Sequence, residues 1–498
     1  MNYTELYAQY VTRMQKIADV RYAIAVLQWD QETYMPKTGT AHRAGQIATL
    51  SEMSHGMFTD PSFKALLESL QACDGPDDEQ KKNVELTWYD YTQQHKLSAA
   101  FVRQLSEATS RSFQAWVTAK TNSDFSVFRP HLQHLIGLKR EEADLLGFSA
   151  HPYDALLNQY ERGSTVAQLD QVFSRLRDPL KTLLTEIARK PQPETGFLHR
   201  HYEKNSQWQF GMDILRQMGF DFDAGRQDIA EHPFTTNFSS QDVRLTTRID
   251  ENDFGNMTWS CIHEGGHGLY EQGLPDGAYG LPLGEFTSLG IHESQSRLWE
   301  NNVGRSLDAW QYLYPRAQHR FPEALGDISL QQFYRAINTV RPSLIRTEAD
   351  ELTYHFHVQV RYELEKKVID GSLDVADIPE WWNHSYRSLL DIEVPDDRRG
   401  CLQDVHWSHG SFGYFPTYSL GSLYAAQFFA SARKEVPALD AGITKGEYKP
   451  LLNWLRTSIH GHGRRYTSQE LCERISGEPL NIDYFIDYAT AKYKAIYG

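Results

Sequence analysis

The chain has 498 residues, of which 40% are hydrophobic and 23% are charged, the composition of an ordinary soluble globular protein. Its formal net charge of −15 argues against nucleic acid or an anionic membrane as the main partner, because both are themselves negatively charged. No run of about 18 uncharged apolar residues is present, so we expect no transmembrane helix.

The N-terminal segment and the cysteines both predict a cytoplasmic protein. The first 20 residues, MNYTELYAQYVTRMQKIADV, carry an acidic residue early and lack a continuous apolar core, so we expect no secretory signal. The cysteines are far apart and form no CxxC pair, which is typical of reduced thiols in a chain of this length. They are Cys73, Cys261, Cys401 and Cys472.

The first 220 residues are predicted to be mainly helical. Near the N-terminus, apolar side chains recur at steps of three and four residues, the pattern of an amphipathic helix. These side chains are Leu6, Tyr10, Met14, Ile17 and Val20. The segment WDQETYMP, residues 29–36, follows, and we interpret it as a packing and helix-end motif and not as part of a site.

One small β-sheet is predicted near the middle of the chain. In SSQDVRLTTRID, residues 239–250, apolar or β-branched side chains alternate with Arg244, Thr246 and Arg248, the period of a strand with its arginines on one face. The preceding HPFTTNF, residues 232–238, is its expected neighbour in an antiparallel sheet. After residue 285 helical patterns return, broken by loops such as EVPDDRRG and HGSFGYFP. We therefore predict a mostly α fold.

The segment SCIHEGGHGL, residues 260–269, contains two histidines four residues apart with a glutamate beside the first. On an α-helix His263 and His267 lie within about 40° of each other on one face. Glu264 lies on the shoulder of that face, where its carboxylate can reach a water molecule without binding the metal. This is the HExxH arrangement of zincins. Gly273 and Pro275 are a reasonable end for the helix.

Three glycines inside this predicted helix cost roughly 1 kcal/mol each relative to alanine. Metal binding can exceed that cost, since the apparent free energy of structural zinc binding to small peptides is about 10–16 kcal/mol. We expect Gly266 to leave room for another backbone or a substrate strand, and Gly265 to let a second helix pack closely. HExxH also occurs by chance, so a third ligand is needed to support the site.

A catalytic zinc ion takes three protein ligands and leaves one position open. Glu293 lies 26 positions after His267, enough for a loop and a return helix that faces the first. His292 is its competitor and would make a three-histidine site, whereas Glu271 could reach the same ion only by straining its helix. The candidates that the sequence leaves open are Glu271, Glu285, His292, Glu293 and Glu300.

Six motifs in the order of the chain resemble the signatures of the carboxypeptidase Taq family of metallocarboxypeptidases. The family signatures are HPF, DxRxT, HExxH, HES/GQ, IRxxAD and GxxQDxHW. The corresponding segments are HPF (232–234), DVRLT (242–246), HEGGH (263–267), HESQ (292–295), IRTEAD (345–350) and GCLQDVHW (400–407). GYFPTYSLG, residues 413–421, and WDQETYMP also look similar to the family, so the resemblance extends from near residue 20 to beyond residue 420.

The resemblance implies a large helical zincin fold similar to neurolysin and angiotensin-converting enzyme. In that fold one catalytic domain, residues 1–498, is split into two helical halves by a long deep groove with the metal at its floor. The resemblance also implies a homodimer, zinc or cobalt as the metal, and release of single C-terminal residues with broad preference, excluding proline. It supports Glu293, with His263 and His267, as the metal ligands.

We hypothesise metal-assisted hydrolysis of the last peptide bond, with Glu264 as general base. The substrates are then peptides with a free C-terminal carboxylate, which the planar fork of an arginine binds with two parallel hydrogen bonds. By resemblance, Arg346 is the first candidate and Arg244 the second. Each arginine could instead form an internal ion pair, for example Arg346 with Asp350.

The developing oxyanion needs a hydrogen-bond donor besides the metal. His406 and Tyr418 have suitable chemistry and the matching position in the family, although each could equally be a core residue. The ligating imidazoles also need orienting partners. Candidates for that role, among which the sequence does not choose, are Asp242, His292 and Asp404.

Four other functions are compatible with parts of this pattern. An enzyme of the angiotensin-converting type shares HExxH and a downstream glutamate but releases dipeptides, so product size distinguishes it. An endopeptidase would need no carboxylate clamp, and an aminopeptidase would need acidic residues for the α-amino group. A metal-binding scaffold without activity is disfavoured because Glu264 is present.

Overall fold

Helices dominate the fold, as predicted, and the computed structural model describes residues 2–498. The helices before the sheet are α1 (Tyr3–Thr33), α2 (Thr40–Thr59), α3 (Pro61–Ala72), α4 (Asp78–His95), α5 (Ala99–Asn122), α6 (Phe125–Leu146), α7 (Pro152–Leu157), α8 (Val166–Ala188) and α9 (Lys204–Met218). Within the described residues, no helix is both long and apolar enough to cross a bilayer.

Three strands follow, and then a second series of helices that reaches the C-terminus. The strands are β1 (Gly225–Ile229), β2 (Thr235–Ser239) and β3 (Asp242–Thr247). The later helices are α10 (Phe254–Glu271), α11 (Leu289–Arg297), α12 (Leu307–Arg320), α13 (Pro322–Leu325), α14 (Leu330–Ile337), α15 (Tyr354–Asp370), α16 (Ile378–Leu390), α17 (Pro416–Glu435), α18 (Leu439–Ile443), α19 (Lys449–Ser458), α20 (Ser468–Ser476) and α21 (Asp483–Tyr497).

Helix α1 has the amphipathic character that its sequence predicts. Its Asn2 cap accepts a hydrogen bond from the Glu5 backbone N–H, which satisfies one of the free donors of the first turn. Leu6, Tyr10, Met14 and Ile17 are buried, and they pack with side chains of α2, α3 and α4 into a hydrophobic cluster distinct from the main core. The predicted end of this helix near WDQETYMP is confirmed, since α1 ends at Thr33.

The predicted small sheet is present, but a third strand that the sequence did not indicate makes it mixed and not wholly antiparallel. The predicted pair, β2 and β3, is antiparallel, but β1 pairs in parallel with the other edge of β3, giving the order β1-β3-β2. The chain reverses direction between β1 and β2 and again between β2 and β3, so β1 and β3 run the same way. The β1 sequence, GRQDI, contains residues that are depleted in strands, which is why its periodicity does not reveal it.

Helix α10 carries the HExxH segment and packs between two other helices. A Cβ atom on Gly265 would lie 2.6 Å from Leu215 Cδ2 of α9, and one on Gly266 would lie 2.6 Å from Ser296 Cα of α11. Both glycines therefore allow close helix packing, as predicted, and Gly266 makes room for the backbone of the return helix. The predicted helix end is also confirmed, since α10 stops at Glu271.

The return helix begins where Ser288 accepts a hydrogen bond from the Ile291 backbone N–H. After Arg297 it continues as a π-helical segment, Leu298–Gly304, which turns Glu300 towards α10. Such wide turns inside helices are rare and are often found at functional sites. The main core surrounds α10, α11 and α17, and Cys261, Cys401 and Cys472 are buried as free thiols, with Cys73 partly buried.

Candidate metal centre

Helices α10 and α11 bring two histidines and one glutamate to a single point. Glu293 Oε2 lies 3.7 Å from His263 Nε2 and 3.4 Å from His267 Nε2. The three ligand atoms are all within 4.8 Å of one another. Two ligand atoms of a tetrahedral zinc ion, each about 2.1 Å from it, lie about 3.4 Å apart. The residues therefore fit a divalent ion with one position left open.

His263 is oriented by Glu300, which the sequence left open as a possible ligand. Its Nδ1 atom lies 2.9 Å from Glu300 Oε2, so the imidazole donates from Nδ1 and directs Nε2 towards the common point. A carboxylate in this position fixes the tautomer and the ring orientation of a ligating histidine. Glu300 lies seven residues after Glu293, or two helical turns, which is the signal that could have revealed its role.

We expect Glu300→Gln to lower the affinity for the metal by about 10- to 100-fold, because partners of this kind typically contribute that much. The amide can still accept the hydrogen bond but no longer stabilises the imidazole by its charge. Competition with a zinc-binding dye measures the affinity. An unchanged affinity would mean that Glu300 does not orient His263.

Arg297 neutralises the negative charge behind the ligands. Its Nε atom donates to Glu293 Oε1 at 2.7 Å, and its Nη1 atom lies 3.2 Å from Glu300 Oε2. Burial by itself would raise the pKa of Glu293, but Arg297 and the two histidines outweigh it and hold the pKa well below the usual value. Arg297 was not among the residues predicted for the site, although its spacing of four from Glu293 on a helix indicates such a pair.

Glu264 is buried beside the ligands and is held by the sheet. Its Oε2 atom accepts a hydrogen bond from Thr235 Oγ1 of β2 at 2.6 Å, which leaves Oε1 without this bond. Burial raises the pKa of Glu264, and His263 partly opposes the increase. A carboxylate with a raised pKa is a stronger base than an exposed one, as proton abstraction requires. Thr235 lies in the HPFTTNF segment, but nothing in that segment indicates its contact with Glu264.

His292 contacts the site without joining the ligand cluster. Its ring stacks on that of His267 with centroids 4.4 Å apart, and its Nε2 atom lies 2.7 Å from Glu271 Oε1. Asn237 donates to the other oxygen of Glu271, so this group links α10, α11 and β2. The structure thus places His292 against the imidazole of His267, a candidate ligand. The other two candidates for that role, Asp242 and Asp404, pair with arginines.

Arg346, His406 and Tyr418 lie together in the structure. The guanidinium of Arg346 is 4.8 Å from the ring centroid of Tyr418, and the Tyr418 hydroxyl is 3.1 Å from His406 Nε2. Tyr418 is one turn before Gly421, whose Cα faces the Glu293 side chain so closely that no Cβ would fit. The three residues therefore lie on the Glu293 side of the metal centre.

Arg346 is paired with Asp404 and not with Asp350. Nε and Nη2 of Arg346 lie 3.0 Å from Asp404 Oδ1, and Nη1 donates to the Tyr354 hydroxyl at 2.9 Å. Asp350 instead accepts backbone hydrogen bonds near the start of α15. Asp404 thus holds the guanidinium from one side. One hydrogen each on Nη1 and Nη2 is not used in these bonds.

His406 and Tyr418 are both in the neutral form. Burial lowers the pKa of His406 to about 4, and burial raises the pKa of the Tyr418 hydroxyl well above its usual value. At neutral pH the pair can therefore donate hydrogen bonds without adding charge to the site. Such donors suit an oxyanion that develops during a reaction.

Arg244 has a different environment from Arg346. It forms two hydrogen bonds of 3.0 Å with Asp242, and its guanidinium lies between the rings of Trp29, at 4.3 Å, and Phe238, at 4.7 Å. Trp29 comes from WDQETYMP, so that segment packs at the end of α1 against the sheet. These contacts connect α1 with β2 and β3, and they do not connect Arg244 with the group around Tyr418.

Comparison with known proteins gives the same family along the whole chain. The sequence profile described as carboxypeptidase Taq (M32) metallopeptidase matches residues 9–493. Thermostable carboxypeptidase 1 of Thermus thermophilus is 41% identical over 488 residues, which cover 95% of each chain. The crystal structure of the M32 carboxypeptidase from Deinococcus radiodurans superposes with a TM-score of 0.98 at 38% identity, covering 99% of this chain and 100% of that one. A solved structure named CHT has a TM-score of 0.97 at 58% identity, with coverage of 98% and 99%.

Proposed function

The chain belongs to the carboxypeptidase Taq (M32) family and is a metallocarboxypeptidase, and we propose that it releases single C-terminal amino acids from peptides, with broad side-chain preference but not proline. The observation that carries the proposal is that His263, His267 and Glu293 converge with Glu264 beside them. A second group, around Arg346, offers cationic and neutral donors on one side of the same centre. We propose zinc or cobalt as the metal.

In the proposed reaction Glu264 is the general base. A divalent ion between His263, His267 and Glu293 would polarise the scissile carbonyl and lower the pKa of a water molecule. Glu264 accepts the proton of that water on Oε1, since Oε2 is occupied by Thr235, and returns it to the leaving amine. The hydrogen bond from Thr235 also keeps the carboxylate from turning away from the substrate.

Arg346 binds the C-terminal carboxylate in this proposal. Its unused Nη1 and Nη2 hydrogens form a fork of the kind that carboxylates accept in pairs. Asp404 holds the opposite edge of the guanidinium, so little side-chain freedom is lost when the substrate binds. His406 and Tyr418 form a hydrogen bond with each other, in which one of them is the donor. The pair provides the donor for the developing oxyanion.

We expect Arg346→Ala to raise KM for a free-acid peptide by about 100-fold, because a charge-assisted contact of about 3 kcal/mol is lost. The amidated peptide lacks the carboxylate charge, so its affinity should be low and should be the same for the wild type and for Arg346→Ala. Steady-state kinetics on the free-acid peptide measures KM, and inhibition of that reaction by the amidated peptide measures how tightly the amidated peptide binds. Arg244→Ala, whose side chain packs against α1, is the matched comparison. An unchanged KM in Arg346→Ala would place the carboxylate elsewhere.

The function is tested on protein stripped with a chelator and reloaded separately with zinc and with cobalt. An N-blocked peptide and its C-terminally amidated twin are offered, and the products are identified by mass. Stepwise loss of single residues from the free acid alone supports the proposal. Release of dipeptides would indicate an enzyme of the converting type, and cleavage of both twins an endopeptidase.

We also propose that the protein is a cytoplasmic homodimer. The free thiols support a reducing compartment, because disulfides are rare there. The dimer rests on the resemblance to the family, and sedimentation equilibrium checks it.

A further inference from the structure

A cavity of about 480 Å³ lies at the His267 end of the metal centre. It reaches the centre through Glu271, which contacts His292, and through Phe286, whose ring is 4.9 Å from that of His292. Polar and aromatic side chains from several parts of the chain line it. They include Tyr22, Tyr89, Asn158, Tyr160, Arg162 and Arg464.

A fixed turn carries Arg162 to the wall of this cavity. The turn lies between α7 and α8, and the Tyr160 carbonyl accepts a hydrogen bond from the Leu289 backbone N–H at 3.2 Å. Beside it, Glu161 Oε2 accepts from the Gly290 backbone N–H at 3.0 Å. The turn is thus attached to the start of α11, the helix that also carries Glu293. This attachment fixes the position of the Arg162 backbone relative to the metal centre.

Arg162 is the charged residue of the lining that forms no ion pair. Arg464 contacts Asp90 at 2.6 Å and Glu285 at 3.2 Å, and Glu271 contacts His292 at 2.7 Å. Within residues 2–498 Arg162 makes no hydrogen bond or ion pair, although it is half-buried. Burial, followed by the nearby charge of Arg464, lowers its pKa more than Glu470 and Asp90 raise it, so an anion in the cavity would further stabilise the guanidinium.

Aromatic rings connect this cavity with the group that binds the C-terminal carboxylate in our proposal. The ring of Tyr160 is 5.2 Å from that of Tyr414, which is 5.3 Å from that of Tyr418. Arg346 lies over the ring of Tyr418, the last of these three rings. A peptide held by its C-terminus at Arg346 and cleaved at the metal centre would extend its N-terminal part towards Arg162. This step rests on the proposed function.

We propose that the cavity binds the acidic side chain of a substrate residue upstream of the scissile bond, with Arg162 as its counter-ion. The site then selects peptides that carry Asp or Glu at one particular distance from the C-terminus. Lining tyrosines provide hydrogen bonds for the peptide around that side chain. Such a site adds a preference for sequence to an enzyme whose last position is broadly tolerant.

Blocked peptides with a single Asp at the second, third or fourth residue before the scissile bond test the proposal against twins with Asn. We expect one position at which kcat/KM for Asp exceeds that for Asn by about tenfold, a preference that salt reduces. Arg162→Gln should abolish the preference. Arg162→Glu should prefer Lys at the same position. Arg175→Gln, an equal loss of charge at an exposed helix position, should keep the Asp preference.

Binding of the same peptides to metal-loaded Glu264→Gln, followed by fluorescence anisotropy, separates this proposal from the proposed function. An Asp preference that depends on Arg162 supports the cavity even if no single residues are released. Equal Asp-to-Asn ratios in wild type and Arg162→Gln at every position would overturn it. A preference that persists in Arg162→Gln would also overturn it, since another residue would then bind the acid.

Discussion

Glu264→Gln is expected to keep its metal ion and to lose turnover by about 10³- to 10⁴-fold. General acid–base catalysis typically contributes about 10²- to 10⁴-fold, and this glutamate handles the proton in both directions in the proposed reaction. The amide fits the same space and can still accept the hydrogen bond from Thr235. The substitution therefore removes the base with little change in packing. Elemental analysis measures the metal, and mass analysis of released amino acids measures kcat.

Two further measurements make this result specific. Glu186→Gln, the same chemical change at an exposed position of α8, should retain full activity. The free energy of unfolding of Glu264→Gln should equal or exceed that of the wild type, since burial raises the pKa of Glu264 and disfavours its charge. Retention of high activity with bound metal would remove Glu264 from the mechanism.

Glu293→Gln is expected to lose the metal, the activity and part of the stability together. It removes the anionic candidate ligand and also the main ion-pair partner of Arg297. The Arg297 side chain is only 16% exposed. Breaking a buried ion pair by removing one partner costs about 3–5 kcal/mol. Glu300 still contacts Arg297 at 3.2 Å, so we expect a value of about 3 kcal/mol, near the lower end. Urea denaturation with excess chelator measures it without the contribution of metal binding.

Two variants distinguish the effects on metal and on charge. The double variant Glu293→Gln, Arg297→Met should recover part of the lost stability, because the unpaired cation is gone, but should not recover the metal. His292→Asn should keep a stoichiometric ion, since His292 stacks on His267 and its nitrogen faces Glu271. Metal bound by Glu293→Gln but not by His292→Asn would make His292 the third ligand.

The sequence predicted the local parts of the site and the order of its motifs. His263, Glu264 and His267 lie within a single helical turn, so the pitch of the helix places them together. The hairpin of β2 and β3 is equally local, with two residues between its strands. Strand β1 could not be predicted, because it pairs in parallel with a strand that follows it by 13 residues or more and because its residues have no strand-like pattern.

Contacts between distant segments could not be predicted, because many pairings satisfy the same charges. Arg346 was a candidate to pair with Asp350, four residues on, but the fold gives it Asp404. The free N–H groups that make Arg346 a carboxylate binder follow from that choice. Arg162 shows the opposite case: within residues 2–498 the fold gives this cation no hydrogen bond or ion pair, and no sequence pattern indicates an absent contact.

The sequence by itself determined the metal helix, the strand pair that precedes it and the family to which the chain belongs. These depend on spacing along the chain, which helix and strand periodicity convert directly into shared faces. Only the tertiary structure decided that Glu300 orients His263, that Arg297 lies behind Glu293 and that Arg162 faces a cavity beside His292. Those arrangements arise from the packing of α10 against α11 and of the α7–α8 turn against α11. The physical reason is that side-chain contacts between segments depend on positions that packing fixes in three dimensions.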